Sequence, residues 1–116
     1  MADKLIIDWK QYNLIVEKLA VQIFKSGFKP DMLIGIMRGG APIIDVLSRV
    51  FKLKCAYLAV ESYSGEGTED QQGELVFSRE MSSTVYEMKG NLLLCDDLSD
   101  TGVTLNKSID WLKKYP

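Results

Sequence analysis

Three carboxylates fall within five residues, Asp96, Asp97 and Asp100, between the apolar run Leu92-Leu93-Leu94-Cys95 and the turn Thr101-Gly102-Val103-Thr104. The run reads as a buried strand that delivers Asp96 and Asp97 to its carboxyl end. Two adjacent acids repel each other unless a cation or several hydroxyls take up their lone pairs. Thr101, Gly102 and Thr104 then supply hydroxyls, a flexible backbone and unpaired N–H groups where a helix begins, which suits a phosphate. The ligand implied is phosphorylated and polyhydroxylated and comes with a divalent metal. The plainer alternative is an Asp-rich helix N-cap that only ends a strand; it suits a single Asp better than the whole string.

A second strand end carries complementary chemistry. Met32-Leu33-Ile34-Gly35-Ile36-Met37 is an apolar run of the kind found in strands buried on both faces. Arg38-Gly39-Gly40 follows at once, and Pro42, read as a first helical position, leads into Ile43, Leu47 and Val50 at helical spacing. The glycines let the backbone come close to a ligand, and the arginine offers a bidentate fork for phosphate oxygens. Alone this is no more than an ordinary tight turn. Its force comes from pairing with the acidic loop.

The remaining elements must hold these two loops. Asp8-x-x-Gln11 resembles a capping box, and Tyr12, Val16, Leu19 and Ile23 predict a core-facing helix over 9–25. Residues 55–61 read as a strand. The span 62–73, polar and glycine-rich, reads as a flexible surface loop, either a plain connection or a lid over substrate. Residues 74–79 and 91–95 read as further strands, the latter entered through Lys89-Gly90. Leu105, Ile109 and Leu112 form a last helix face, with Lys113 and Lys114 at its carboxyl end. Strand and helix alternate, so the expected fold is α/β, a mainly parallel twisted sheet flanked by helices. Ligands bind such sheets at the carboxyl ends of strands, where the winding reverses. If strands 32–37 and 91–95 are neighbours, Arg38-Gly39-Gly40 and the 96–104 loop face each other there.

Bulk properties narrow the function further. With 116 residues, 47% hydrophobic and 26% charged, the chain fits one globular domain. No apolar run is long enough to span a bilayer and no signal-peptide layout opens the chain, so a cytoplasmic location is the expectation. Cys55 and Cys95 sit in apolar runs and read as small buried hydrophobes. The chain has no histidine, which removes Ser-His-Asp and Cys-His machinery and His-ligated zinc. A net charge of −2 gives no basic field for nucleic acid.

The stretch Cys95-Asp96-Asp97-Leu98-Ser99-Asp100-Thr101-Gly102-Val103-Thr104 resembles the signature with which type I phosphoribosyltransferases bind phosphoribosyl pyrophosphate (PRPP). Arg38-Gly39-Gly40 is similar to the family's pyrophosphate loop, and Glu61-Ser62-Tyr63 to the start of its flexible catalytic loop. Within the family, Asp8-Trp9 opening a helix and Lys114-Tyr115-Pro116 at the end resemble the bacterial xanthine-guanine and hypoxanthine-type enzymes. The resemblance implies transfer of the 5-phosphoribosyl group to a nucleobase, first a 6-oxopurine, with Mg2+ and release of pyrophosphate. It implies that Asp96 and Asp97 bind the ribose hydroxyls and the metal, with Asp97 the nearer to the metal, and that Asp100 is the catalytic proton partner of the base. Asp100, Thr101, Gly102, Val103 and Thr104 would hold the 5′-phosphate, and Arg38, Gly39 and Arg79 the pyrophosphate. A homo-oligomer, dimer or tetramer, is implied as well.

Family members continue past this last helix into another strand and a segment that carries much of the base pocket. The resemblance therefore carries over the PRPP-site residues and none for the base. It leaves a competing expectation, a noncatalytic PRPP-binding regulatory or sensor module. A third is a doubly wound domain holding magnesium and an unrelated phosphoester.

Overall fold

The computed structural model describes residues 6–63, 74–84, 88–98 and 102–115. Asp8 opens the first helix, α1 (Trp9–Ser26): its carboxylate accepts from the Gln11 N–H at 2.8 Å while the Gln11 side chain accepts from the Asp8 N–H at 3.1 Å. Two backbone donors that a helix start would orphan are satisfied reciprocally. Gly27 ends α1 at φ 82°, a left-handed conformation that suits glycine. Between these caps the stripe predicted from the sequence turns inward, with Val16 and Ala20 buried and Tyr12, Leu19 and Ile23 packed beside them.

Strand β1 (Met32–Met37) is buried at every position but the last, as a strand covered on both faces must be. The chain then runs through α2 (Gly40–Phe51), β2 (Lys54–Tyr63), β3 (Glu74–Phe77), β4 (Leu92–Cys95) and α3 (Val103–Lys114). The sheet order is β3-β2-β1-β4. β1 is parallel to both β2 and β4, and β3 is antiparallel to β2. The expected α/β architecture is thus present, with the 32–37 and 91–95 runs side by side: Met32 lies opposite Leu92 and Gly35 opposite Cys95.

The sheet carries a core on each face. On one side α1 and α2 close over Leu33, Ile43, Ile44, Leu47 and Cys95. On the other, Ile34, Ala56, Leu58 and Met81 pack with Trp111, Leu112 and Tyr115 around α3. Trp111 stacks between Phe77 and Tyr115, with ring centroids 6.2 Å and 4.8 Å away. At the amino ends of β1 and β4 a small clasp joins the strands. The Asn91 N–H donates to the Asp31 carboxylate at 2.7 Å, and the Asp31 N–H donates back to the Asn91 carbonyl at 2.7 Å. Gly90, at φ 82°, leaves the room this needs, since a Cβ there would run into the Asp31 carboxylate.

Three boundaries differ from expectation by more than a single residue. α2 begins at Gly40, two residues ahead of Pro42, which therefore sits inside the first turn; proline fits there because first-turn N–H groups have no acceptor within the helix. β2 continues through Ser62 and Tyr63, both assigned to the loop from sequence, because β3 pairs with them through Leu75 and Glu74. β3 stops at Phe77, although the Ser78 N–H still donates to the Ala59 carbonyl at 2.9 Å. Residues 64–73, the rest of the expected loop, lie outside the described residues. Among the described residues no helix is long and apolar enough to cross a membrane.

Leu47 is fully buried between α2 and the sheet. Leu47→Ala is expected to lower unfolding free energy by about 2–5 kcal/mol, from lost burial and an unfilled cavity, read as a lower urea midpoint.

Candidate active site at the β1–β4 crevice

After β1 the chain turns to β2 on one side, while β4 lies on the other, so the winding reverses between β1 and β4. Nothing bridges the carboxyl ends of two such strands, and a crevice opens there. Two loops line it, Arg38-Gly39-Gly40 after β1 and Asp96-Asp97 after β4. The contact between them is close. A Cβ on Gly40 would fall on the Cys95 carbonyl oxygen, and a Cβ on Gly39 would overlap the Asp97 carboxylate. Gly39 has an ordinary helical φ of −65°, so closeness rather than backbone conformation requires glycine there. The Met37–Arg38 peptide that leads into this loop is cis.

The acidic pair is held by its own backbone. The Asp97 N–H donates to Asp96 Oδ1 at 2.8 Å. Burial raises the Asp96 pKa above the usual aspartate value; the bond from the Asp97 N–H works against that rise, and the Asp97 side chain and charge add to it. Asp97 is exposed at the mouth of the crevice. Burial also pushes the neighbouring Cys95 thiol up to about 11, so it stays protonated at neutral pH. Cys95 and Cys55 are free thiols, in keeping with their reading as hydrophobes. Among the described residues no group of three or more His, Cys, Asp or Glu side chains gathers to hold a metal. Asp96 and Asp97 are the oxygen donors that a hard cation could use at this crevice.

The other predicted residues divide into three sets. Gly102, at φ 79°, is the N-cap of α3, and Val103 and Thr104 form its first turn. Gly102 has no side chain to cap the helix, and the Asn106 N–H already uses its carbonyl at 2.9 Å. The first-turn N–H groups are the kind that receive a phosphate. Asp100 and Thr101 lie outside the described residues. Arg38 lines a cavity of about 580 Å³ with Met37, Ala59, Val60 and Glu61, across the ends of β1 and β2. Arg79 is exposed beyond the end of β3 and does not line that cavity. β2 separates it from the Arg38 strand.

Sequence reasoning missed the amino end of α1. A second cavity, of about 490 Å³, is lined by Ile7, Asp8, Trp9, Tyr12, Gly39, Pro42 and Asp97. Trp9, 73% exposed, meets the Tyr12 ring edge-on at 5.5 Å. Tyr12 was read as a core residue, and it does pack on the core, but it also lines this cavity with Asp97, whose charge adds to the rise in its pKa. The available signal was its polar tip one turn into a capped helix.

Residues 5–116 match the family model of the phosphoribosyl transferase domain. The fold is similar to that of a purine phosphoribosyltransferase from Pyrococcus horikoshii, with TM-score 0.75 and 27% identity over 97% of this chain and 70% of that one. It is also similar to a xanthine-guanine-hypoxanthine phosphoribosyltransferase from Helicobacter pylori, with TM-score 0.73 and 21% identity over 91% of this chain and 66% of that one. An orotate phosphoribosyltransferase from Aeropyrum pernix shares the fold at TM-score 0.63 and 21% identity, over 91% of this chain and 53% of that one. The chain thus spans between about half and seven-tenths of the length of these structures. The crevice between two glycine-tightened strand ends and the match through residues 5–116 lead to one conclusion: the chain belongs to the phosphoribosyltransferase family.

Proposed function

We propose that this chain carries the PRPP-binding site of an enzyme that transfers the 5-phosphoribosyl group of PRPP to a nucleobase, a 6-oxopurine first, with release of pyrophosphate. The observation that carries this reading is the contact of Gly39 with the Asp97 carboxylate, which puts an anion-binding loop and an acidic pair on one crevice. Arg38 and the backbone N–H groups of Gly39 and Gly40 would hold the pyrophosphate, with Arg79 a more distant second arginine. Asp96 and Asp97 would take the ribose hydroxyls, and Asp100, Thr101, Gly102, Val103 and Thr104 the 5′-phosphate, with Val103 and Thr104 in the first turn of α3. Asp100 would exchange the proton on the ring nitrogen of the base.

Loss of pyrophosphate leaves positive charge on the ribose ring, as in the oxocarbenium-like transition states of glycoside hydrolysis. The carboxylates beside the ring stabilise that charge, while arginine and backbone dipoles take up the charge of the leaving group. The donor set fits magnesium, which typically binds through one or two carboxylates and leaves its other positions to water and substrate phosphates. Bound there, it would supply further neutralisation of the departing pyrophosphate. The acceptor base is read from the family likeness alone, since purine and orotate enzymes share this fold. Assembly as a dimer or tetramer belongs to the same proposal; Leu14, Val21 and Phe24 on α1 are exposed apolar residues that it could cover. A noncatalytic PRPP-binding module is the second reading, and it would use the same crevice.

The test is a mass-detected transfer assay with PRPP, Mg2+ and xanthine, guanine, hypoxanthine, adenine, uracil or orotate. A nucleoside monophosphate from an oxopurine is the expected product. PRPP-induced stabilisation without product from any base would favour the module reading. Asp100→Ala is expected to keep PRPP binding and to lower turnover by about 100-fold or more; equal loss of binding would make Asp100 a loop-forming residue.

The raised Asp96 pKa gives a further expected outcome. A carboxyl whose folded pKa lies above its unfolded one binds its proton more tightly in the folded state, so its penalty on stability is fully present above the folded pKa and disappears below the unfolded one. Asp96→Asn should therefore raise the melting temperature of the ligand-free chain at pH 7, and the gain should shrink as pH falls toward about 4. Melting curves across that range check it.

A further inference from the structure

The Tyr12 hydroxyl has no role in the mechanism above, and its surroundings call for one. Its oxygen is shut off from solvent and has no hydrogen-bond partner among the described residues. A buried hydroxyl without a partner is destabilising, and phenylalanine would fill the same space without that cost. Tyr12 and Asp97 line the same cavity, where α1 meets Gly39. Burial raises the Tyr12 pKa, and the Asp97 charge raises it further. The carboxylate itself has room to adjust, since Asp97 is exposed; Asp97 touches Asp96 through its backbone N–H and through its side chain, and a carboxylate has acceptor sites to spare beyond that contact.

We propose that Tyr12 is a positioning residue for the acidic pair, its hydroxyl donating to one oxygen of the Asp97 carboxylate when the crevice is loaded and holding that carboxylate against the Gly39 backbone. The inference rests on the reading of Asp96 and Asp97 as the cation-binding and ribose-binding acids. A carboxylate has two oxygens and about four acceptor sites, so one oxygen can face the phenol while the other serves the ligand. Gly39 limits movement on one side, because its missing Cβ is what lets the carboxylate lie there. Tyr12 limits it on another. Because α1 is fixed by its own capping box and by Val16 and Ala20 in the core, the phenol is a rigid reference for a side chain at the end of a four-residue strand.

The test uses the 116-residue chain, its Tyr12→Phe and Asp97→Asn variants and the double variant. Tyr12→Phe should melt at or above the wild-type temperature without ligand, yet need about tenfold more Mg2+ to reach half of the PRPP-induced stabilisation. The double variant should lose no more than Asp97→Asn alone, since the hydroxyl acts only through that carboxylate. With tyrosine labelled at 13Cζ, Mg2+ alone should move the Tyr12 resonance in the wild type and not in Asp97→Asn. An unchanged Mg2+ midpoint in Tyr12→Phe, additive losses in the double variant, or a Tyr12 resonance that ignores Mg2+ would each overturn the inference. A resonance that responds to Mg2+ through Asp97 in a chain that PRPP fails to stabilise would support the inference and sink the functional reading instead.

Discussion

The missing side chains of Gly39 and Gly40 are the constraint on which the site depends. One lets the start of α2 settle on the carbonyl of Cys95, and the other admits the carboxylate of Asp97. A methyl group on Gly40 would press on the Cys95 backbone carbonyl and force the chain after β1 away from the end of β4, while one on Gly39 would displace the Asp97 carboxylate from its place against the loop. Everything else in the crevice follows from that approach. The pyrophosphate-type loop and the acidic loop come from parts of the chain more than fifty residues apart, and the sheet brings them close only because nothing stands between them.

That approach places the acids under electrostatic stress. Asp96 is partly buried beside a second carboxylate, with one backbone N–H to offset the cost. Burial makes the charged form of Asp96 costly, and two adjacent carboxylates are an arrangement that a cation or a set of hydroxyls relieves. The stability the site gives up is supplied by the two apolar cores on either face of the sheet, where Leu33, Ile34, Ile44, Leu47 and Leu58 are fully buried. A rigid scaffold and a strained polar end divide the work between them.

Much of this was legible in the residues, for physical reasons. The apolar run at 32–37 specifies a strand buried on both faces, and the strand-to-loop transitions at Arg38 and Asp96 are abrupt; the run at 92–95 reads as a buried strand too, yet at the sheet edge only Cys95 is buried and Leu92, Leu93 and Leu94 are partly so. Their adjacency was a condition for the two loops to meet, which the parallel pairing of β1 with β4 fulfils. The start of α2 was less legible, because Pro42 marks a first turn without fixing which residue in that turn it occupies. The length of β2 depended on its antiparallel partner at Glu74 and Leu75, a long-range pairing with no local pattern. Tyr12 was hidden by its own amphipathic character: a ring at helical spacing reads as core, and its hydroxyl finds its neighbours only when three elements converge.

The clasp of Asp31 and Asn91 lies at the opposite end of β1 and β4 from the ligand crevice. β4 has only four residues to define how it slides against β1, and successive residues of a strand face opposite sides. A slip of one position would exchange the outlooks of Asp96 and Asp97, sending the partly buried acid toward α1 and the exposed one toward α3. The clasp therefore helps to fix the register of β4 against β1, and with it the way Asp96 and Asp97 face. Two residues at the far end of the strands thus bear on the geometry of the acidic pair.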